Sequence, residues 1–244
     1  MNTRPLAIVT GASRGIGAAV ALRLSKAGYN LALCCQSKEA QLKAVAAQCE
    51  SQGSDVITKL VNVSDQNQVN LFIEEALTRF GHIYLLVNNA GISIVGLFQD
   101  LSAEEFNRIT DVNLKSVYNC IHAVLPPMIH EHSGRIINIS SVWGNVGASC
   151  EAAYSATKGG INSLTRALGK ELAPSRIAVN AIACGAIDTD MNKCFTEEDL
   201  ETLAEEIPYG RMGKAEEVAE VLLKLSEMPD YLTGQILTLD GGWI

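Results

Sequence analysis

The residues best suited to proton transfer in this chain are Tyr154 and Lys158, which follow Ser141. Residues four apart share one face of a helix, so a phenol and an ammonium at this spacing can point into one cavity. An ammonium about 5 Å from a phenolate stabilises it by about 3 kcal/mol at an effective dielectric of about 20. The pattern therefore predicts an acid, Tyr154, whose pKa is lowered by Lys158, beside a hydroxyl that binds a carbonyl oxygen. Taken alone, the same spacing is more often a core tyrosine and a solvated lysine.

A glycine-rich loop follows the first predicted strand and opens directly into a segment of helical period. Glycines spaced Gly-x3-Gly-x-Gly let the backbone turn tightly and approach a pyrophosphate. The free amides and the dipole of the helix N-terminus attract the phosphate charge. The loop therefore predicts a dinucleotide site. The residues assigned to it are Gly11, Ser13, Arg14, Gly15, Ile16 and Gly17.

The residues about 20 positions beyond this loop bear on which dinucleotide is bound. An acidic residue there typically binds the ribose 2′-hydroxyl of NAD. This chain has Cys35, Gln36 and Ser37 at those positions and no acid until Glu39. Arg14 and Lys38 can instead pair with a 2′-phosphate. We therefore favour NADP(H) over NAD(H); the alternative for Arg14 is a solvated side chain that covers its own loop.

Polar amides end two of the predicted strands. The side chains of Asn88 and Asn89 are expected to hold neighbouring strands and to leave backbone atoms facing the cofactor. The positions assigned to cofactor contacts on this basis are Asn62, Val63, Asn89, Ala90 and Gly91. A further amide, Asn113, lies inside a helical pattern, where it is either exposed or bound to a specific partner.

Short β-branched or leucine-rich runs alternate with segments of helical period along the whole chain. Strands are predicted near residues 5–10, 30–35, 55–61, 83–88, 135–140, 176–182 and 235–239. Helices are predicted near residues 15–27, 38–52, 66–80, 103–132, 151–173 and 215–226. This alternation is typical of the α/β class, in which a single-domain, Rossmann-type, doubly wound parallel sheet of about seven strands has helices on both faces.

The segment at about 189–213 differs from the rest of the chain. It is polar, rich in Glu and Asp, and bounded by glycines. We expect residues 1–244 to form one nucleotide-binding domain in which this segment is an inserted helical lid over the substrate. The alternative is an ordinary surface helix with a solvated acidic face.

Composition narrows the class of protein. Of the 244 residues 48% are hydrophobic, enough for one large core, and the formal charge of −8 argues against nucleic-acid binding. No signal peptide or membrane span is predicted, so a cytoplasmic location is the default. The seven cysteines form no Cys-x2-Cys pair and are expected to be reduced, mainly buried thiols. No third ligand lies near His130-Glu131-His132, so no metal site is predicted.

These motifs together resemble those of the short-chain dehydrogenase/reductase family over nearly the whole chain. The resemblance rests on Thr10-Gly11-x3-Gly15-x-Gly17, Asn88-Asn89-Ala90-Gly91, Asn113, Ser141, Tyr154-x3-Lys158 and Asn180, in the family's order and spacing. It implies an NAD(P)-dependent oxidoreductase acting on CH–OH groups and their carbonyl counterparts.

The resemblance also implies a role for each site residue. Ser141 binds the substrate oxygen, and Tyr154 donates or removes the proton. Lys158 binds the nicotinamide ribose and lowers the tyrosine pKa, while Asn113 holds a water relay. Later in the chain, the residues implied to contact the nicotinamide carboxamide and the pyrophosphate are Ile187 and Thr189.

Within the family, the length, the start just before the first strand and the short tail are most similar to the bacterial 3-oxoacyl-[acyl-carrier-protein] reductases of fatty acid biosynthesis. That likeness implies NADPH-dependent reduction of 3-oxoacyl thioesters, an acyl carrier protein as possible partner, and a homotetramer. Electrostatic steering of an acidic carrier is not obvious, however, because the lid is acidic and the chain carries −8. An NAD(P)-dependent dehydrogenase of a sugar, polyol or other small secondary alcohol stays open, as does, more remotely, a non-catalytic nucleotide-binding regulator.

Two features near the expected site concern the substrate. Cys184-Gly185 stands where many family members have Pro-Gly, which predicts a slightly looser loop. The substrate pocket is expected between residues 91–98, residues 141–150 and the lid. Within it, Trp143 and Val146 either line an apolar acyl channel or pack under the loop.

Overall fold

The computed structural model describes residues 4–192 and 195–244, and a seven-stranded sheet forms its centre. In chain order, the strands are β1 Leu6–Thr10, β2 Asn30–Cys35, β3 Val56–Leu60, β4 Ile83–Asn88, β5 Gly134–Ser141, β6 Ile177–Cys184, β7 Ile187–Asp188, β8 Gly213–Lys214 and β9 Ile236–Leu239. The large sheet has the order β3-β2-β1-β4-β5-β6-β9, and β7 pairs with β8 separately. All of its neighbours are parallel, so the predicted doubly wound sheet is confirmed.

Helices cover both faces of this sheet. They are α1 Gly15–Lys26, α2 Glu39–Ser51, α3 Gln66–Phe80, α4 Ala103–Thr110, α5 Ser116–Glu131, α6 Trp143–Val146, α7 Ala152–Leu172, α8 Glu197–Glu206 and α9 Ala215–Glu227. One core cluster joins the sheet to α1, α2 and α9, and the other joins it to α3, α5 and α7. Neighbouring residues of β1, such as Ile8 and Val9, enter opposite clusters, which explains why its sequence is continuously apolar.

The predicted helix near residues 103–132 is interrupted. A π-helical turn, Asp111–Lys115, joins α4 to α5. Single π turns of this kind are rare insertions into α-helices, and the apolar pattern here predicted one continuous helix. Elsewhere the predicted strands and helices end within two residues of the observed ones. No helix in the described part of the chain is long and apolar enough to cross a membrane.

The described cysteines are free thiols. The buried ones are Cys34, Cys35, Cys49, Cys120 and Cys184, and Cys150 is half-buried. Burial raises the pKa of Cys49 to about 11 and that of Cys120 to about 12, so these thiols stay protonated near neutral pH. The prediction of reduced, mainly buried cysteines is confirmed for these residues, and Cys194 lies outside the described part.

Candidate active site

A cleft of about 580 Å³ opens at the carboxyl ends of the central strands. The predicted site residues that line it are Gly11, Ser13, Arg14, Gly15, Ile16, Asn62, Val63, Asn89, Ala90, Gly91, Ser141, Tyr154, Lys158, Ile187 and Thr189. The two that do not reach its surface, Gly17 and Asn113, pack directly against residues that do. The fold therefore brings together residues that lie far apart in the sequence, in a cleft at the strand ends where open α/β sheets bind their ligands.

The two asparagines that end β4 hold the glycine loop and the next strand. Asn89 Nδ2 donates hydrogen bonds to the carbonyl oxygens of Thr10 and Gly11, at 3.0 and 3.1 Å. Asn88 Nδ2 donates to Asn138 Oδ1 of β5 at 2.9 Å. The predicted role of these two side chains in holding neighbouring segments is therefore found, and their hydrogen bonds fix the loop relative to the sheet.

The N-terminus of α1 fits a phosphate group. Arg14 occupies the N-cap, yet no side chain of the described residues caps this helix, and its first turn holds no acid. The first intrahelical bond runs from Ala18 N–H to the Arg14 carbonyl. The N–H groups of Gly15 and Ile16, which border the cleft, are thus left for a ligand, and the helix dipole favours an anionic one.

Tyr154 and Lys158 lie on the first turns of α7 and point into the cleft together. They are 9% and 4% exposed. Lys158 Nζ lies 5.5 Å from the centre of the Tyr154 ring and donates to the Ile139 carbonyl oxygen at 2.8 Å. The Ser141 hydroxyl, at the end of β5, lines the same cleft and lowers the pKa of the phenol against the larger rise caused by burial. The predicted proximity of hydroxyl, phenol and ammonium is therefore found in the structure.

The direction of the tyrosine pKa differs from the sequence expectation. Burial raises the pKa of Tyr154 above its ordinary value, the Glu151 charge adds to this rise, and the hydrogen bond with Ser141 opposes it. Burial also lowers the pKa of Lys158 to about 8. The expectation of a lowered tyrosine pKa was wrong for the chain without nucleotide, because the spacing Tyr-x3-Lys indicates proximity and carries no information on desolvation.

Asn113 has the specific partners that a buried helical amide requires. In the π turn its Oδ1 accepts from Ile92 N–H at 2.8 Å, and its Nδ2 donates to the Ile92 carbonyl oxygen at 2.9 Å. Nδ2 also lies 3.2 Å from Thr157 Oγ1. The side chain thus links the loop after β4 to α5 and α7. Its part in a water relay stays a prediction.

Lys158 makes the stability of the nucleotide-free chain depend on pH. Its pKa is 10.5 ordinarily and about 8 when buried in the fold, so between these values the unfolded chain binds the proton that the folded chain has released. The contribution of Lys158 to the free energy of unfolding should therefore rise across this range, by about 3 kcal/mol in total, whereas the buried thiols contribute in the opposite direction. Urea unfolding at pH 7.5 and 9.5 should therefore show a change in the wild type that exceeds the change in Lys158→Met, in the stabilising direction, by about 2 kcal/mol. An equal pH response in both chains would contradict the assignment.

The residues at the substrate end of the cleft include Ser93, Glu151, Cys184 and Trp243. Ser93 and Cys184 lie in segments that were expected near the substrate, whereas Glu151 and Trp243 carried no recognisable sequence signal. Trp243 stacks edge-on against Trp143 with ring centres 4.8 Å apart. Trp143 lines the cleft as one of the two expectations had it, whereas Val146 is 59% exposed and does not border the cleft. Both alternatives for Val146, lining a channel and packing under the loop, were wrong, because its side chain is turned to solvent.

The segment after β6 is well held. The Cys184 carbonyl oxygen accepts from Val142 N–H, and Gly185 N–H donates to the Leu239 carbonyl oxygen, both at 2.9 Å. Nothing here supports the looser loop expected from the absence of proline. Asn180, a further motif residue, binds the segment just before β9 through its side chain, which donates to the Leu232 carbonyl oxygen and accepts from Gln235 N–H.

The segment 189–213 borders the mouth of the cleft. It contains α8, and Leu203 of that helix lines the cleft. Asp190 Oδ2 accepts from Arg14 Nη1 at 3.0 Å, which ties the segment to the glycine loop. Lys193 and Cys194 lie outside the described residues. Opening and closing of this lid stays a prediction.

Comparison with known proteins gives consistent results over almost the whole chain. A family model described as short chain dehydrogenase matches residues 5–200. The 3-oxoacyl-[acyl-carrier-protein] reductase FabG of Staphylococcus aureus (strain N315) is 40% identical over 243 residues, covering 99% of each chain. The protein of the same name from Chlamydia muridarum is 40% identical over 97% of this chain and 96% of its own. That from Thermotoga maritima is 38% identical, with the same coverage.

Proposed function

The chain belongs to the short-chain dehydrogenase/reductase family of NAD(P)-dependent oxidoreductases, and from this premise we propose that it is an NADPH-dependent carbonyl reductase. The observation that carries the proposal is the convergence of Ser141, Tyr154 and Lys158 on the cleft that borders the glycine loop. Its relatives are named for 3-oxoacyl thioesters, so we propose their reduction to 3-hydroxyacyl thioesters. The residues of the implied catalytic set are all present, which argues against a non-catalytic regulator; they are Asn113, Ser141, Tyr154 and Lys158.

The side chains divide the chemistry among them. The nicotinamide supplies hydride when bound. The Ser141 hydroxyl donates a hydrogen bond to the substrate carbonyl oxygen, and the Tyr154 phenol gives its proton to that oxygen. Because burial keeps the phenol protonated, Tyr154 is ready to act as the acid of a reduction. Lys158 then stabilises the phenolate.

Asn113 is the residue we assign to proton return. Its Oδ1 and Lys158 Nζ lie 3.4 and 3.7 Å from one point, the position that a Cβ on Gly91 would occupy. A water relay through this region would return a proton from solvent to the lysine and the phenolate.

The nucleotide is assigned to the glycine loop and to the ends of the first strands. Arg14, Gln36, Ser37 and Lys38 border the cleft where an adenine ribose would lie. The acid that lines the cleft beside them is Asp190, which pairs with Arg14. Glu39 is paired with Lys43 at 2.6 Å on the surface of α2. Lys38 and the Ser37 hydroxyl therefore suit a 2′-phosphate, with Arg14 shared between that phosphate and Asp190.

Replacing Lys38 with glutamate should lower the preference for NADPH over NADH about 100-fold, because a hydrogen bond to a charged group contributes about 1.5–3 kcal/mol. Fluorescence titration with both nucleotides measures the ratio of the two Kd values. Lys43→Glu is the matched control: it makes the same charge change five residues along, outside the cleft lining. An equal loss of the NADPH preference in the two variants, or an unchanged preference in Lys38→Glu, would contradict the assignment of Lys38 to the 2′-phosphate.

Loss of NADPH absorbance with acetoacetyl-CoA tests the proposed reaction. We expect turnover with NADPH that exceeds turnover with NADH. If NADPH binds but the thioester is not reduced, the thioester assignment fails. The acidic lid disfavours an anionic carrier, so the second candidate is a dehydrogenase of a sugar, polyol or other small secondary alcohol, measured as NADP⁺ reduction by such alcohols. The homotetramer and the cytoplasmic location implied by the family resemblance stay predictions.

A further inference from the structure

We propose that the Glu151 carboxylate binds a positively charged group of the substrate, so that the carbonyl compounds preferred by this cleft carry an ammonium. The inference rests on the proposed function, carbonyl reduction beside Ser141 and Tyr154. It places the positive charge on the part of the carbonyl compound that enters the cleft, in a thioester as in a small ketone. Glu151 borders the cleft at the residue just before α7, three positions before Tyr154.

The orientation of Glu151 is not explained by helix capping. A carboxylate at the N-cap usually accepts from the first-turn amides, yet the side chain of Glu151 forms no such bond with the described residues. Instead its Oε1 accepts from Ser93 Oγ at 2.5 Å. Ser93 belongs to the loop after β4 and also lines the cleft. The carboxylate is thus held towards the substrate, and among the described residues this is its single side-chain partner.

No basic side chain of the described residues compensates this charge at the substrate end. The basic residues of the cleft lining are Arg14, Lys38 and Lys158. The first two lie with the glycine loop and the end of β2, and Lys158 donates to the Ile139 carbonyl. Ser93 gives this carboxylate a hydrogen-bond donor but no counter-charge, and a cationic group of the substrate would supply that charge.

Two further features of the cleft favour a cation. The acidic residues of α8, which borders the mouth, are Glu197, Glu198, Asp199, Glu201, Glu205 and Glu206, and the helix has no basic residue. Such a field attracts cations and repels anions. The indole rings of Trp143 and Trp243 line the same cleft, and indole faces bind ammonium groups. The acidic charge and the aromatic surface therefore both favour a cationic substrate.

Matched ketones test the inference. Methyl ketones with spacers of two to five methylenes end either in trimethylammonium or in tert-butyl, so that each pair differs in charge and hardly in shape. The ratio of kcat/KM within each pair is measured with NADPH for the wild type, Glu151→Gln, Glu151→Asp and Glu198→Gln. We expect the wild type to prefer the cationic ketone at least tenfold at one spacer length. The ratio should fall to about one in Glu151→Gln and persist in part in Glu151→Asp.

Glu198→Gln removes the same charge from the surface of α8 and should retain the preference. Equal rates on both ketones in the wild type, or a preference that survives in Glu151→Gln, would overturn the inference and leave carbonyl reduction standing. If the wild type reduces none of these ketones nor acetoacetyl-CoA, carbonyl reduction itself fails, and the inference falls with it. Thermal unfolding of each variant identifies any change of ratio that comes from misfolding.

Discussion

Replacing Tyr154 with phenylalanine should lower kcat by about 10³-fold, the scale of effect expected when a general acid is removed. The variant loses only the hydroxyl, because the ring stays packed against Ile109 and Ala153. Nucleotide affinity should therefore change little, and so should the free energy of unfolding. Steady-state turnover with NADPH measures kcat, and fluorescence titration measures the nucleotide affinity.

Tyr118→Phe is the control for this change. Tyr118 is an exposed tyrosine of α5 and has no part in the proposed chemistry, so its variant should turn over like the wild type. A Tyr154→Phe enzyme that keeps its rate within a few-fold would mean that another group donates the proton. Loss of nucleotide binding in that variant would mean that Tyr154 acts through the shape of the cleft.

Replacing Gly17 with alanine should weaken nucleotide binding by about 100-fold, the cost of displacing a binding group by about 1 Å. The new Cβ would lie 2.3 Å from the Gly11 carbonyl oxygen and 2.5 Å from Asn89 Nδ2. Neither atom can yield freely, since Asn89 itself holds the loop through Gly11. The helix α1 must then shift away from the loop, which should also cost about 1–3 kcal/mol of stability.

Gly96→Ala provides the matched control for Gly17→Ala. An added Cβ at Gly96 meets no described atom within 4 Å, and its φ lies outside the left-handed region. Its stability should stay within about 0.5 kcal/mol of the wild type. Titration with NADPH and urea unfolding compare the two glycine variants. Wild-type affinity in Gly17→Ala would show that the loop tolerates displacement and would remove the basis of the phosphate assignment.

The layout of the sheet was predictable because the apolar pattern of a strand's own sequence indicates whether one or both of its faces are buried. The apolar run of β1 contributes to both core clusters, and such a run occurs only where both faces are covered. The π turn was not predictable from periodicity. It accompanies the hydrogen bonds of Asn113 to Ile92, which join segments whose contact exists only in the folded chain.

The same distinction separates the site residues that were predicted from those that were missed. The glycine loop and the Tyr154–Lys158 pair are local patterns, so their spacing indicates their chemistry. Ser93 and Glu151 meet across 58 residues, and Trp243 reaches Trp143 from the last strand's tail. The direction of the tyrosine pKa was missed for a related reason, because desolvation depends on everything that packs around the phenol.

Isotope transfer tests the central claim of carbonyl reduction most directly. NADPH deuterated at both C4 positions is supplied with whichever is reduced faster, acetoacetyl-CoA or the methyl ketones, and the product is examined by mass spectrometry. The account predicts one deuterium on the carbinol carbon of every product molecule, and almost no product with Tyr154→Phe. Product without deuterium, or bound NADPH that never transfers its label to any of these carbonyls, would contradict it.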